Sequence, residues 1–306
     1  MLPSGIHIAP RSSLDPEGDA TLASVAAAHE AWSRDMAGLA PWIESNVAGV
    51  LSSSSTFEDV RFPLVILDDC QSSMDEAFLF AERGELPEWG SILAVYQHSG
   101  RGQLRRRWVS PPGNIYGALI LPKHNSRHDL WGDCMGNLIP LVAGYVFCAA
   151  LEQMGANVQL KWPNDFICRE RKIGGMLVEE RGDTRILGIG INLVSCPDDS
   201  EMRKDRALKA GCICPLGNAS TPLGVWKSLV SRGENIYTAL IDAFSPSEFI
   251  SLAEDRLAWI GRKVFVHEGG DHSYQARIKG LSCEGRLVLE RNGKEVILGS
   301  GSILPV

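Results

Sequence analysis

The first 60 residues contain no lysine, and the whole chain has no Cys-x-x-Cys pair, no Gly-x-x-x-x-Gly-Lys-Ser/Thr run and no Gly-x-Gly-x-x-Gly. Each absence excludes something. Without either glycine-rich phosphate loop, any phosphate binding must use something other than the usual nucleotide folds. The eight cysteines are scattered, and the closest pair, Cys212 and Cys214, supplies too few ligands for tetrahedral zinc. They read as reduced thiols, which points to the cytoplasm. Residues 1–10, MLPSGIHIAP, lack the basic and long apolar regions of a signal peptide. The longest uncharged run, Met135–Leu151, is interrupted by Asn137, Pro140 and two glycines, so no membrane span is expected. Residues 1–60 carry eight carboxylates against Arg11 and Arg34. Counterion-release binding to DNA has almost nothing to work with there, and no DNA partner is expected.

What is present suits a globular chain with a sizeable core: 306 residues, 44% hydrophobic, 22% charged, net charge −7. Residues 20–48 read as one or two helices, 51–60 (LSSSSTFEDV) as a linker, and 62–69 (FPLVILDD) as a buried strand. A helix is expected over 72–84 with Gly84 at its C-terminal end, and strands at Ser91–Gln97 and Asn114–Leu121. Asn137–Met154 reads as a helix capped by Asn137, with Pro140 in its first turn and Gly155 as its stop. VQLKWPND leads a strand into a turn, and Lys172–Glu180 pairs with Arg185–Val194 as a hairpin. A further helix runs from about Leu223 to Ile241. From Gly261 onward, short alternating segments suggest a small barrel.

Between the strands at 91–97 and 114–121 lies a long loop holding QHSGRGQLRRRW, with Arg101, Arg105, Arg106 and Arg107 in seven residues. Two readings stand. In one, the arginines pair with nearby carboxylates on a solvated loop. In the other, glycines let the backbone approach a ligand while arginine forks grip phosphate or carboxylate, and the loop is ordered only by that anion. Further on, Lys172 stands at a strand mouth beside Gly174 and Gly175, Asp165 sits in a turn, and Gly188 and Gly190 within a β-run imply close backbone approach.

The ordered blocks QxxGRGxxxxxxWxSPxGN, KWPND, RKIGGxLVE and GIGINL, over about residues 64–306, resemble the biotin–protein ligase family. The tail segments WIGRKVFVHE, GRLVLE and ILGSGSI resemble that family's small SH3-like carboxy-terminal domain. The resemblance implies an α+β fold: a mixed-sheet catalytic domain at 61–255 and an SH3-like barrel at 256–306, behind an acidic helical extension at 1–60 that is not a winged helix. It also implies a reaction. Biotin and ATP with Mg²⁺ give biotinyl-5′-AMP, and the biotinyl group then passes to one lysine of a biotin carboxyl carrier protein. Homodimerisation is left open.

The family's roles carry over by position. Lys172, Arg101 and Asp165 become the catalytic set, Lys172 stabilising charge at the α-phosphate and Asp165 organising metal or the incoming lysine. Ser72, Ser73 and Gln97 take the biotin ureido ring, with Gly100, Arg101, Lys172, Gly174 and Gly175 completing the biotin site. Gly102, Gln103, Arg105, Arg106, Trp108, Asn114, Lys161, Asn164 and Asn192 line the adenylate, and Trp108 packs on adenine. No residue is assigned as a protein-only metal ligand. Three positions depart from the family: Met74 replaces the usual Asn, Gln103 the second basic residue of the loop, and Arg105 a Gly. Lipoate or octanoate ligases share the catalytic fold, and a degenerate biotin-binding protein is the other alternative.

Overall fold

The structure, a computed structural model, describes residues 1–9, 22–39, 41–44, 50–53, 60–103, 106–123, 131–198, 208–213, 220–269 and 272–306. The chain divides into two compact units. One comprises Met1–Lys123, Gly175–Cys196 and Cys212–Arg232; the other comprises His124–Gly174, Pro197–Gly211 and Gly233–Val306.

The first unit is built on a mixed sheet. Its strands are β1 (Gly5–Ile8), β2 (Trp42–Glu44), β3 (Leu51–Ser53), β4 (Pro63–Cys70), β5 (Ser91–Gln97), β6 (Ile115–Ile120), the later part of β9 (Arg171–Arg181) and β10 (Thr184–Ile191). Their order is β2-β3-β1-β4-β5-β6-β10-β9. Strand β4 runs parallel to β1 and β5, whereas β6 is antiparallel to both β5 and β10. The near-continuous apolar run of β4 follows from burial on both faces. Helix α3 (Ser73–Glu82) covers the sheet with Met74, Ala77, Phe78 and Phe80, and Gly84 leaves it at φ +67, a left-handed exit for which glycine is suited.

The front of the chain differs from its expected reading. Helices α1 (Leu22–Ala28) and α2 (Glu30–Ala37) are there, but three strands join them in the sheet, and Ile6, Ile8 and Trp32 are fully buried. The supposed linker at 51–60 begins as β3, and its residues 54–59 lie outside the described ones. Its serines hid the strand because their hydroxyls are satisfied internally: Ser52 Oγ lies 2.8 Å from His7 Nδ1, and Ser53 Oγ donates to Leu39 O at 2.5 Å. Asp35 of α2 accepts from Thr221 Oγ1 (2.5 Å) and Leu223 N (3.0 Å), capping α5 (Pro222–Ala243).

The second unit holds α4 (Gly132–Gln153), the hairpin β7 (Gln159–Lys161) and β8 (Asp165–Cys168), the start of β9, α6 (Pro246–Glu254) and a separate antiparallel sheet. That sheet comprises β11 (Lys263–Gly269), β12 (His272–Leu281), β13 (Leu287–Arg291), β14 (Lys294–Leu298) and β15 (Ser302–Pro305), ordered β14-β13-β12-β11-β15. Helix α4 starts at Gly132 rather than at Asn137, so Pro140 lies inside it. Tertiary anchoring overrides the capping signal: Trp131 is buried, donates Nε1–H to Phe244 O at 2.9 Å and sits 5.6 Å from the Phe249 ring. By length and apolarity Cys134–Gln153 could cross a membrane, yet most of that stretch is buried in the fold. The α+β class with a large mixed sheet, read from the sequence, is the observed one.

Candidate active site

Five residues expected in the site fall in the second unit. Lys161 ends β7, the turn Trp162–Pro163–Asn164 follows, and Asp165 opens β8. Asp165 Oδ2 accepts from Lys161 Nζ at 2.7 Å, and its Oδ1 lies 2.5 Å from Lys172 Nζ. Burial alone would push the Asp165 carboxyl up, but the two ammonium groups outweigh it and hold the carboxyl well below the usual carboxylate range. Lys172 is fixed along its backbone too: its N–H donates to Lys209 O and its carbonyl accepts from Gly211 N, each at 2.9 Å. One carboxylate between two lysines leaves a net charge of about +1, an arrangement suited to an anion. Both Asp165 oxygens are thus engaged by lysines. Among the described residues no group of three His, Cys, Asp or Glu side chains could hold a metal ion. Asn164 is half-buried in the turn, and Gly174 is buried in β9.

The first unit brings together the rest. Ser72 stands at the N-cap of α3, 2% exposed, yet its side chain makes no capping hydrogen bond. Ser73 N donates to Gln97 Oε1 at 2.8 Å, and Gln97 Nε2 donates to Ser110 Oγ at 3.2 Å. The Gln97 amide therefore ties the start of α3 to the arginine loop. A Cβ on Gly100 would come within 2.9 Å of Trp108 O and 3.0 Å of Gln97 Nε2, so the tight packing around that amide requires glycine here.

The loop itself is a narrow tongue. Trp108 N donates to Gly100 O (2.7 Å) and Gly102 N to Arg106 O (2.8 Å), while Ser99 is fastened to Gln71 through N–H (2.9 Å) and Oγ (2.7 Å). Arg101 is held by carboxylates of the protein itself. Its Nη1 and Nη2 fork onto Asp75 (2.6 and 2.9 Å), and its Nε and Nη2 fork onto Glu179 (2.8 and 2.9 Å). Pairing with internal carboxylates, one of the two readings of the loop, is what Arg101 does here, and backbone bonds join Gly100 to Trp108 and Gly102 to Arg106 within the tongue. Gln103, Arg106 and Arg107 are exposed; Arg105 lies outside the described residues.

The glycines of GIGINL are explained by side chains. A Cβ on Gly190 would meet the Trp108 indole at 2.7 Å, and one on Gly188 would meet Met74 Sδ at 2.6 Å. The Trp108 indole is thus seated against Gly190 of β10, and Met74, 3% exposed, belongs to the apolar core rather than to a polar pocket. Asn114 is fully engaged as a turn organiser. Its Oδ1 accepts from Leu193, Val194 and Ser195 N–H (2.9, 2.9 and 3.2 Å), and its Nδ2 donates to Ser195 O at 2.9 Å. Asn192 is buried, with its carbonyl accepting from Ile213 N at 2.8 Å, and Gly175 is half-buried in β9. Asp75, Glu179 and Arg181 were not singled out in the sequence. They lie 26, 78 and 80 positions from Arg101, and no local pattern could join them.

Against known proteins, residues 69–194 match the Biotin/lipoate A/B protein ligase family. Bifunctional ligase/repressor BirA of Escherichia coli is 35% identical over 123 residues, covering 38% of this chain and 36% of that protein. The chain thus spans only about a third of the BirA relatives it matches, 36% and 37% of the Escherichia coli and Salmonella typhimurium proteins. Biotin--[acetyl-CoA-carboxylase] ligase of Paracoccus denitrificans is 26% identical over 215 residues, 67% of this chain and 86% of that one. In fold, the chain resembles biotin protein ligase from Aquifex aeolicus in complex with biotin and ATP, with a TM-score of 0.60 at 24% identity, over 79% of this chain and 97% of the other. The blocks around Arg101, Lys161 and Lys172 all fall within the residues that match the Biotin/lipoate A/B protein ligase family.

Proposed function

We propose that the chain is an ATP-dependent biotin–protein ligase that forms biotinyl-5′-AMP, releases diphosphate and transfers biotin to a lysine of a biotin carboxyl carrier protein. The observation that carries this reading is the net-positive group Lys161–Asp165–Lys172. A cation held at one position by a buried carboxylate stabilises negative charge as the biotin carboxylate attacks the α-phosphorus, at no cost in reorganisation. The Paracoccus relative is named as such a ligase, and the Aquifex structure holds biotin and ATP. Magnesium enters as the ion carried on ATP's phosphates, because it keeps substrate oxygens and waters as ligands rather than a protein cage.

Biotin is favoured over lipoate by the start of α3. Ser72 places a buried hydroxyl that caps nothing, next to Ser73 and Gln97. A cyclic urea, with one carbonyl and two N–H groups, is costly to bury without such partners, whereas a dithiolane asks for none. In this reading residues 61–255 form the catalytic domain, the five strands after residue 256 form an SH3-like barrel, and residues 1–60 serve the fold rather than DNA. The protein works in the cytoplasm. Titration calorimetry with biotin and lipoate in parallel tests the substrate, with biotin expected to bind and lipoate not. Preferential lipoate binding would move the protein to the other branch of its family. A gel shift at low salt with biotin and ATP is expected to show no sequence-specific DNA complex, and a nanomolar one would contradict that part.

A further inference from the structure

Arg101 is the arginine that the sequence places nearest a bound anion, yet its guanidinium is nearly used up inside the protein. Four of its five N–H groups are committed, two to Asp75 and two to Glu179, at 2.6–2.9 Å. Arg181 adds a second cation: its Nη2 donates to Asp75 Oδ1 at 2.6 Å, and its guanidinium lies 4.0 Å from the centre of the Phe78 ring. Two arginines and two carboxylates cancel, so this cluster attracts no ligand charge as the lysine group does. Burial would raise the Asp75 carboxyl, but its bonds to Arg101 and Arg181 outweigh that and leave it below the ordinary value.

The four residues come from three places in the fold: the tongue (Arg101), the first turn of α3 (Asp75) and the far end of β9 (Glu179 and Arg181). The first turn of a helix favours a carboxylate, so Asp75 is a pre-set anchor. Arg101 stands one residue beyond the Gly100–Trp108 backbone bond that closes the tongue. Fixing its guanidinium fixes that stem, and with it the Trp108 indole seated on Gly190. Arg106 and Arg107, further out on the tongue, are exposed, and among the described residues neither has an ion-pair partner.

We infer that Asp75 and Glu179, with Arg181, are positioning residues: they clasp Arg101 and so set the tongue and Trp108 in the form that retains the adenylate. The distal arginines, not Arg101, are then the loop's anion-facing cations. The retention part rests on the ligase reading; the clasp does not.

Two measurements on the full-length protein separate them. Limited trypsin digestion reads cleavage after Arg106 and Arg107, and stopped-flow chase reads dissociation of biotinyl-AMP. In Glu179→Gln, and independently in Asp75→Asn, both rates should rise about tenfold, the size of one lost charge-assisted hydrogen bond. The thermal midpoint should hold, because the clasp is part-exposed, and Arg185→Gln, which breaks a pair with Glu180 in the same hairpin, should change neither rate. Tongue cleavage within about twofold of wild type in both variants would overturn the clasp. Faster cleavage with unchanged adenylate release would overturn the positioning role. If wild type forms no adenylate, the ligase reading fails instead, and the cleavage rates alone decide whether the clasp exists.

Discussion

Two charge clusters in this chain are near mirror images. In the second unit a carboxylate, Asp165, is gripped by two lysines; in the first, an arginine, Arg101, is gripped by two carboxylates with a second arginine at their edge. Their sums differ. The lysine group is left about one charge positive and can do electrostatic work on an incoming anion, whereas the arginine group is neutral and can only hold the chain in place. Counting basic residues along the sequence gives the opposite ranking, because four arginines in seven residues look more anion-seeking than a lone lysine beside two glycines.

The sharpest way to break this comparison is Lys172→Ala. It should lower biotin-dependent ATP–pyrophosphate exchange by about three orders of magnitude, the scale of one preorganised cation lost from a transition state. Exchange within about tenfold of wild type would place the reacting anion elsewhere. Asp165→Asn comes next. It leaves two part-buried ammonium groups facing each other, and denaturant unfolding at neutral pH should show a loss of about 3 kcal/mol. The sign with pH follows from the depressed carboxyl. Its stabilisation is complete above the unfolded value, about pH 4, and is lost as pH falls toward the folded one. The gap between wild type and Asp165→Asn should therefore narrow from pH 6 to pH 3.

Gly190→Ala sharpens the other side. Its methyl would meet the Trp108 indole at 2.7 Å, a misfit of about 1–3 kcal/mol that should fall on ATP affinity, because the exposed tongue can move away. Gly117→Ala would meet the Trp226 ring at 2.2 Å in the core and should lower the melting temperature instead. Equal effects of both on stability would show that Trp108 is ordinary core. The smallest effect is expected at Gln103, where restoring a charge with Gln103→Arg should slow biotinyl-AMP release by about tenfold, measured by chase.

The main strands were legible because their apolar runs and turn residues are local signals, and the α+β class because the ordered blocks resemble those of a known family. Ser91–Gln97 is read to the residue as β5, and Lys172–Glu180 falls within β9. The sequence misleads where distant atoms decide. Ser52 and Ser53 look like linker until His7 and Leu39 are seen to satisfy them, and Asn137 looks like a helix cap until Trp131 anchors the chain earlier. The same holds in the site. Lys172 and Asp165 could be named from their blocks, whereas the engagement of Arg101 by Asp75 and Glu179, and of Asn114 by residues 193–195, depends on pairings across dozens of residues.

One measurement bears most directly on the lysine group as the seat of biotin activation. The full-length protein is incubated with ATP, Mg²⁺, biotin and a biotin carboxyl carrier domain, and the intact mass of the carrier is recorded. A gain of one biotinyl group on a single carrier lysine, dependent on ATP and absent with Lys172→Ala, is the predicted result. An unmodified carrier with wild type, or equal modification by the Lys172→Ala variant, would contradict it.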